Sequence, residues 1–275
     1  MNEAMDISSI KVSAIIITYN RYHALMNAIE SVKRQTHRNI EIIVVNDKSD
    51  SEEYYSKAHN DVKWIDLERS SREACGFPSC GYVRNMGIAE AQGDYVAFLD
   101  DDDLWMPEKI RTQLSAMVKE GWVMSCTEGY MGDSFYDEKK KYPIYHAEHY
   151  EKYCERFFKE NYGRWDGRLP DVFDLKLIQK HNFVIASSVM LKKSVLYKVG
   201  LFKEVLIGVE DKDLWRRVLE HYNCLHINQP LVYYDGRLSY YRFHRRVFRK
   251  IGKIVSNLTN HFSPRMYRGR KYPDL

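Results

Sequence analysis

The sequence predicts an α/β fold in which a mostly parallel sheet is flanked by helices, and three observations carry this. Short apolar, β-branched runs alternate with stretches of helical periodicity. The runs are continuous, as strands covered on both faces are. Acidic and turn residues close them, at the strand ends where sites gather in open α/β sheets.

Residues 12–18 (Val-Ser-Ala-Ile-Ile-Ile-Thr) read as the first strand, and 22–35 as the first helix, because Ala24, Leu25, Ala28, Ile29 and Val32 recur at helical spacing. The second strand is 40–46. A third, 62–67, leads into a loop over 68–81 that holds Ser, Cys and Gly, followed by a helix over 83–91 that Gly93 stops. The fourth strand, 95–99, runs into four aspartates. Pro107, in the first-turn position that proline favours, opens a helix reaching residue 120, and 122–127 is another strand. Periodicity weakens over 128–170 among tyrosines, isolated glycines and three consecutive lysines, which predicts an insertion of irregular structure. Beyond it come a helix over 175–181, a strand over 187–192, an amphipathic helix over 211–221 and short strands over 224–227 and 231–234.

Among 275 residues, 44% hydrophobic and 29% charged, the composition excludes disorder, collagen and coiled coil. No apolar run approaches the roughly 18 to 20 residues that cross a bilayer. Glu3 and Asp6 stand where a signal peptide needs basic residues, which places the chain in a cytosol. Five cysteines without CxxC spacing (Cys75, Cys80, Cys126, Cys154, Cys224) read as reduced packing residues, not a disulfide framework or a zinc site.

The formal net charge of +4 conceals a segregated block: 237–271 holds eleven Lys and Arg and no Asp or Glu, leaving −7 on the remainder. If 240–255 is helical, Phe243, Val247, Ile251 and Ile254 form one face and Arg242, Arg245, Arg246, Arg249, Lys250 and Lys253 mostly another. That pattern suits an anionic membrane surface, and equally an apolar face packed on protein with its charges solvated. Nucleic acid is not expected, since no recognition module accompanies the basic residues.

Asp100, Asp101, Asp102 and Asp103 follow a continuous buried strand. Adjacent carboxylates repel, so folding them beside a sheet requires a cation or solvent. A divalent ion held by one or two carboxylates completes its shell with phosphate oxygens, which points to a phosphorylated ligand. The alternative is a solvated acidic turn capping the next helix. Neither GxxxxGK[ST] nor GxGxxG is present, which disfavours P-loop NTPases and dinucleotide-binding oxidoreductases.

Five segments together resemble glycosyltransferase family 2, inverting nucleotide-sugar enzymes with a GT-A fold. They are Val-Ser-Ala-Ile-Ile-Ile-Thr-Tyr-Asn-Arg (12–21), Ile-Glu-Ser-Val-Lys-Arg-Gln-Thr (29–36), Glu-Ile-Ile-Val-Val-Asn-Asp-Lys-Ser-Asp (41–50), Arg-Asn-Met-Gly through Asp-Asp-Asp-Asp-Leu-Trp (84–105) and Gly-Val-Glu-Asp-Lys-Asp-Leu-Trp-Arg-Arg (208–217). The resemblance implies a donor-binding half over 10–127, an acceptor-side half with an insertion over 128–236, and the basic extension over 237–275.

The resemblance also implies roles. Thr18 and Tyr19 lie at the nucleotide end of the first strand, and Asp47 accepts from a uracil imide; its alternative is an Asx turn with Ser49. Arg84 contacts base or phosphate, or else forms an ion pair. Asp100 and Asp102 match the D-x-D carboxylates, with Asp102 the metal ligand and Asp101 near the ribose, although Asp101 and Asp103 share the spacing. Glu210 and Asp211 match the acidic pair on the acceptor side, with Asp211 as catalytic base; alone, Asp211 would read as a helix cap. Mn²⁺ or Mg²⁺, a UDP-sugar donor and a glycan or lipid-linked glycan acceptor are the expected ligands, with the protein at the inner face of a membrane. The contrasting reading is a catalytically silent sugar-nucleotide-binding homologue or a membrane-associated scaffold. A nucleotidyltransferase is disfavoured, because its glycine-rich N-terminal signature is missing.

Overall fold

A computed structural model describes residues 6–56, 61–205 and 209–237. Residues 1–235 form one compact unit; a second begins at Gly236 and, with the basic segment expected at 237–275, lies outside the described residues except for its first two.

The first four strands build the expected parallel sheet. β1 (Val12–Thr18), β2 (Ile40–Asn46), β3 (Lys63–Asp66) and β4 (Tyr95–Asp100) lie in the order β3-β2-β1-β4. Beyond β4 the sheet turns mixed. β8 (Met190–Lys192) runs antiparallel to both β4 and β6 (Met124–Gly132), and β9 (Cys224–Asp235) runs parallel to β6. Two-residue strands β5 (Leu104–Trp105) and β7 (Val172–Phe173) pair antiparallel to β9.

Strand periodicity assigns the two cores. On β1, Val12, Ala14 and Ile16 point to one face, where Leu25 and Ile29 of α1 (Tyr22–Lys33) and Ile110 and Leu114 of α5 (Lys109–Glu120) cover them. Ile15 and Ile17 point to the other, against Val83 and Ile88 of α4 (Cys80–Glu90) and Leu214 and Trp215 of α9 (Glu210–Leu219). Gly87 lets α4 approach the sheet: a Cβ there would lie 2.5 Å from Ile15 Cγ2.

The structure corrects the sequence reading at several places. Residues 128–170 contain regular structure: β6 continues to Gly132, a π-helical turn spans Tyr145–His149, and α6 occupies Glu151–Tyr162. The helix expected to open at Pro107 begins at Lys109. Instead of a strand over 187–192 there is a 3₁₀ turn, Ala186–Ser188, followed by β8. The loop expected over 68–81 holds a short helix, α3 (Ser71–Cys75), closed by a Ser70–Glu73 capping box. The two strands expected over 224–234 are one, because a register shift between Thr127 and Gly129 of β6 accommodates Pro230. Val195 and Leu196 anchor α8 (Lys193–Val199), which the sequence reading missed. All five cysteines are free, and no described helix is long and apolar enough to cross a membrane.

Candidate active site

The carboxyl end of β4 lies beside the end of β1 and, through β8, next to β6 and β9, so its four aspartates stand where the parallel and the mixed parts of the sheet meet. Two point inward. Asp101 is fully buried, and Asp103 accepts from Ser187 Oγ (2.5 Å) and from the Asp235 backbone N–H (3.0 Å). Ser187 also accepts from the Asp100 N–H (3.1 Å), and its carbonyl accepts from Trp105 Nε1 (2.8 Å), so the 3₁₀ turn clamps the whole acidic run. Asp100 and Asp102 keep side chains 31% and 12% exposed. One carboxylate oxygen each from Asp100, Asp102 and Asp103 lie within 4.8 Å of one another. Hard oxygens at that spacing fit Mg²⁺ or Mn²⁺.

Two arginines supply the compensating charge that the sequence reading sought in a metal. Arg21 Nη2 pairs with Asp101 (2.7 Å) and its Nη1 with Asp102 (2.8 Å). Arg84, 5% exposed, pairs with Asp100 (2.7 Å) and Glu210 (3.2 Å). Even so, burial lifts Asp101 to about 7 and Asp102 to about 6; Arg21 opposes the shift and neighbouring carboxylates reinforce it. Arg84 thus makes the ion pairs of one of its two expected roles, and they link β4 to the start of α9.

Glu210 is buried against Arg84, and its Oε2 accepts from the Val209 N–H (3.1 Å). Asp211 is partly exposed one residue on; its carboxylate accepts from Asn182 Nδ2 (3.3 Å) and the Lys212 N–H (2.6 Å). Burial first, then the Glu210 charge, pushes Asp211 to about 6. Asp211 lies within the first turn of α9 instead of capping it from outside. Asp213 is bound to Arg217 (2.8 Å) and Lys203 (3.2 Å), a structural staple.

At the far edge, Thr18 Oγ1 meets Tyr54 Oη (3.0 Å), and Tyr54 also accepts from the Arg21 N–H (2.7 Å). Tyr19 is half exposed beside Asn20, whose φ of 53° turns the chain into α1. Asp47 does not make the Asx turn with Ser49; the Ser49 N–H donates instead to Asn46 Oδ1, at 3.0 Å. Asp47 instead accepts from the Ser71 N–H (2.5 Å) and Oγ (2.6 Å), and burial raises its carboxyl.

Sequence reasoning missed Arg21, Ser187 and Asn182, whose partners are 81, 84 and 29 residues away. It also missed the aromatic side of a cleft at Asp102, formed by Phe135, Tyr136 and Tyr233. Arg21 carries a signal in retrospect, as a cation closing the first quoted segment. Trp105 and Trp215 are core residues, as aromatics at helical spacing usually are.

Comparisons with known proteins agree with this fold. An uncharacterised glycosyltransferase of Rickettsia typhi is 31% identical over 213 residues, covering 76% of this chain and 58% of its own length. A second, from Rickettsia bellii, is 34% identical over 207 residues, covering 74% of this chain and 26% of itself. This chain thus spans less than two thirds of either relative. The fold matches S. aureus TarS in its complex with UDP-GlcNAc, at a TM-score of 0.57 and 17% identity, over 82% of this chain and 59% of that one. Since the sequence model of glycosyl transferase family 2 matches residues 13–180, well over half of its length, the chain belongs to that family.

Proposed function

We propose that this protein transfers a sugar with inversion from a nucleotide-sugar donor, a UDP-sugar, to an acceptor hydroxyl on a glycan or lipid-linked glycan. The observation that carries the reading is the joining of two carboxylate sets through one buried arginine: Asp100 on β4 and Glu210 on α9 share Arg84, which sets Asp211 beside the acidic cluster. The TarS complex with UDP-GlcNAc adds a fold precedent for the donor.

In this reading Tyr19 and Asp47 receive the base, Thr18 closes the end of β1, and Asp101 lies toward the ribose. Asp47's carboxylate is already oriented by Ser71 and keeps lone pairs for a ring N–H. Asp102 and Asp100 would hold Mn²⁺ or Mg²⁺, which supplies charge stabilisation to the departing diphosphate. Asp103, committed to Ser187 and Asp235, fixes the cluster. Asp211 takes the proton of the acceptor hydroxyl as the glycosidic bond forms opposite the leaving group; its raised affinity for protons matches that task. Glu210 positions Asp211 and holds Arg84. Donor binding falls to 10–127, the base and acceptor to 128–236.

The test is thermal stabilisation by nucleoside diphosphates and UDP-sugars with and without Mn²⁺, followed by transfer assays. Asp102→Ala should lose the metal-dependent stabilisation, and Asp211→Asn should keep it while losing transfer. Wild-type turnover in Asp211→Asn would remove the base assignment. Absence of stabilisation by any nucleotide would favour a silent homologue.

A further inference from the structure

We propose that Arg21 is the resident counter-cation of the carboxylate cluster, and that a divalent ion enters only by displacing its guanidinium from Asp102. This rests on the metal reading above and deepens it, because it makes Arg21 the residue that sets the cluster's metal affinity.

The two arginines at the cluster are built differently. Arg84 is 5% exposed and held at both ends, by Asp100 and by Glu210. Arg21 is 35% exposed, and all its charge contacts lie on one side, at Asp101 and Asp102. Its backbone is fixed: the N–H donates to Tyr54 Oη, the carbonyl accepts from the Leu25 N–H (3.0 Å), and Asn20 before it is in the left-handed turn. A long side chain on a fixed backbone, with a third of its surface in solvent, can release Asp102 without unfolding anything, its Nη2 staying on the fully buried Asp101. Arg84 cannot.

Occupancy decides the rest. Asp102 offers an oxygen to the trio with Asp100 and Asp103, and its Oδ2 already accepts the Arg21 Nη1–H at 2.8 Å. A guanidinium hydrogen-bonded at that distance occupies the approach that a hard cation needs at about 2.1 Å. Two cations sharing one carboxylate also repel in a poorly hydrated site. Arg21 therefore stabilises the cluster before metal arrives, and yields when it does. No bond is made or broken; one ion pair is exchanged for another.

The experiment measures Mn²⁺ binding by electron paramagnetic resonance on the full chain, alone and with UDP, for wild type, Arg21→Gln and Arg21→Lys. Folding of each variant is checked by circular dichroism. In parallel, the Arg21 side-chain ¹⁵Nε–H resonance of the wild type, assigned by its loss in Arg21→Gln, is followed during Mg²⁺ titration. Displacement predicts at least tenfold tighter Mn²⁺ binding in Arg21→Gln and an intermediate value in Arg21→Lys. It also predicts that the Nε–H resonance moves as Mg²⁺ binds. Equal Mn²⁺ affinity in all three, or a resonance unmoved at saturating Mg²⁺, overturns the displacement and leaves the metal reading standing. No Mn²⁺ binding by any of the three proteins, with UDP or without, overturns both.

Discussion

Replacing Arg84 by Met isolates the energetics of the bridge between the two carboxylate sets. Met keeps most of the volume against Phe202, over whose ring the guanidinium lies at 5.4 Å, and removes both ion pairs. The two partners do not lose equally. Asp100, 31% exposed, recovers hydration, so its share is that of a surface pair, below about 1 kcal/mol. Glu210, 5% exposed, is left as a buried charge without its cation, which costs about 3–5 kcal/mol. In a chain of this size that lowers Tm by roughly 6–20 °C. The assay is urea unfolding of wild type, Arg84→Met and the two double variants that add Asp100→Asn or Glu210→Gln. Glu210→Gln should return about 2 kcal/mol or more and Asp100→Asn less than about 1, a difference that a double-mutant cycle resolves. Equal recovery by the two, or an Arg84→Met variant within about 1 kcal/mol of wild type, would refute the claim that the buried end of the bridge carries the cost.

Asp211→Asn should stabilise the fold by about 1–2 kcal/mol at pH 8, since burial and the Glu210 charge hold the Asp211 carboxylate in an unfavourable ionisation state, and on the proposed role it should abolish transfer. Because the folded-state value, about 6, exceeds the unfolded one, wild type binds the extra proton only when folded; its stability falls as pH rises through 6, and the variant's advantage should vanish by about pH 4. An advantage unchanged between pH 4 and 8 in chemical unfolding would contradict this. Lys109, fully buried with Nζ 4.2 Å above the Trp105 ring, is driven well below the usual lysine range by burial. Lys109→Met should therefore raise stability by about 1–3 kcal/mol at pH 7. Wild type should close the gap as pH rises toward 10, where the unfolded lysine also sheds its proton. Gly87→Ala should destabilise by about 1–3 kcal/mol despite its better helix propensity, because the new methyl overlaps Ile15 Cγ2; calorimetry showing a gain would mean that α4 shifts freely.

Residues 10–127 were legible in the sequence because their order is local. β1, β2 and β4 are buried on both faces and read as unbroken apolar runs, and each closes on a polar residue that marks the site edge. Residues 128–236 were not, for identifiable reasons. α6 buries Cys154 and Phe158 at i and i+4, but Lys and Glu crowd the rest of it and mask the stripe. β9 was split by Pro230, whose missing N–H is tolerated only because β6 changes register opposite it, a fact about the partner strand. The choice between Asp100/Asp102 and Asp101/Asp103 was equally closed to the sequence: four identical residues carry no phase. What separates them is the arrival of Ser187 and the Asp235 N–H at Asp103, from 84 and 132 residues away.

That separation explains how four consecutive carboxylates can fold at all. β4 ends at Asp100, and Asp101 and Asp102 form a turn closed by the Asp103 N–H on the Asp100 carbonyl (3.1 Å), so the run divides into a buried pair, Asp101 and Asp103, whose charge must be met by protein, and a partly exposed pair, Asp100 and Asp102, which protein can meet or leave to a ligand. Ser187 and the Asp235 backbone hold Asp103 by hydrogen bonds, and Arg21 reaches past Asp102 to Asp101. The partly exposed pair is then divided again. Asp100 is tied through Arg84 to α9 and thus to the segment carrying Asp211, so its charge is part of the scaffold. Among the described residues, the cation paired with Asp102 is Arg21, a side chain a third exposed. Of the four, Asp102 is the carboxylate whose partner can be exchanged at least structural cost. On the metal reading, an ion would exchange the Arg21 contact at Asp102 while Arg84 keeps Asp100 joined to Glu210, so the acidic run can take a ligand without giving up its tie to α9.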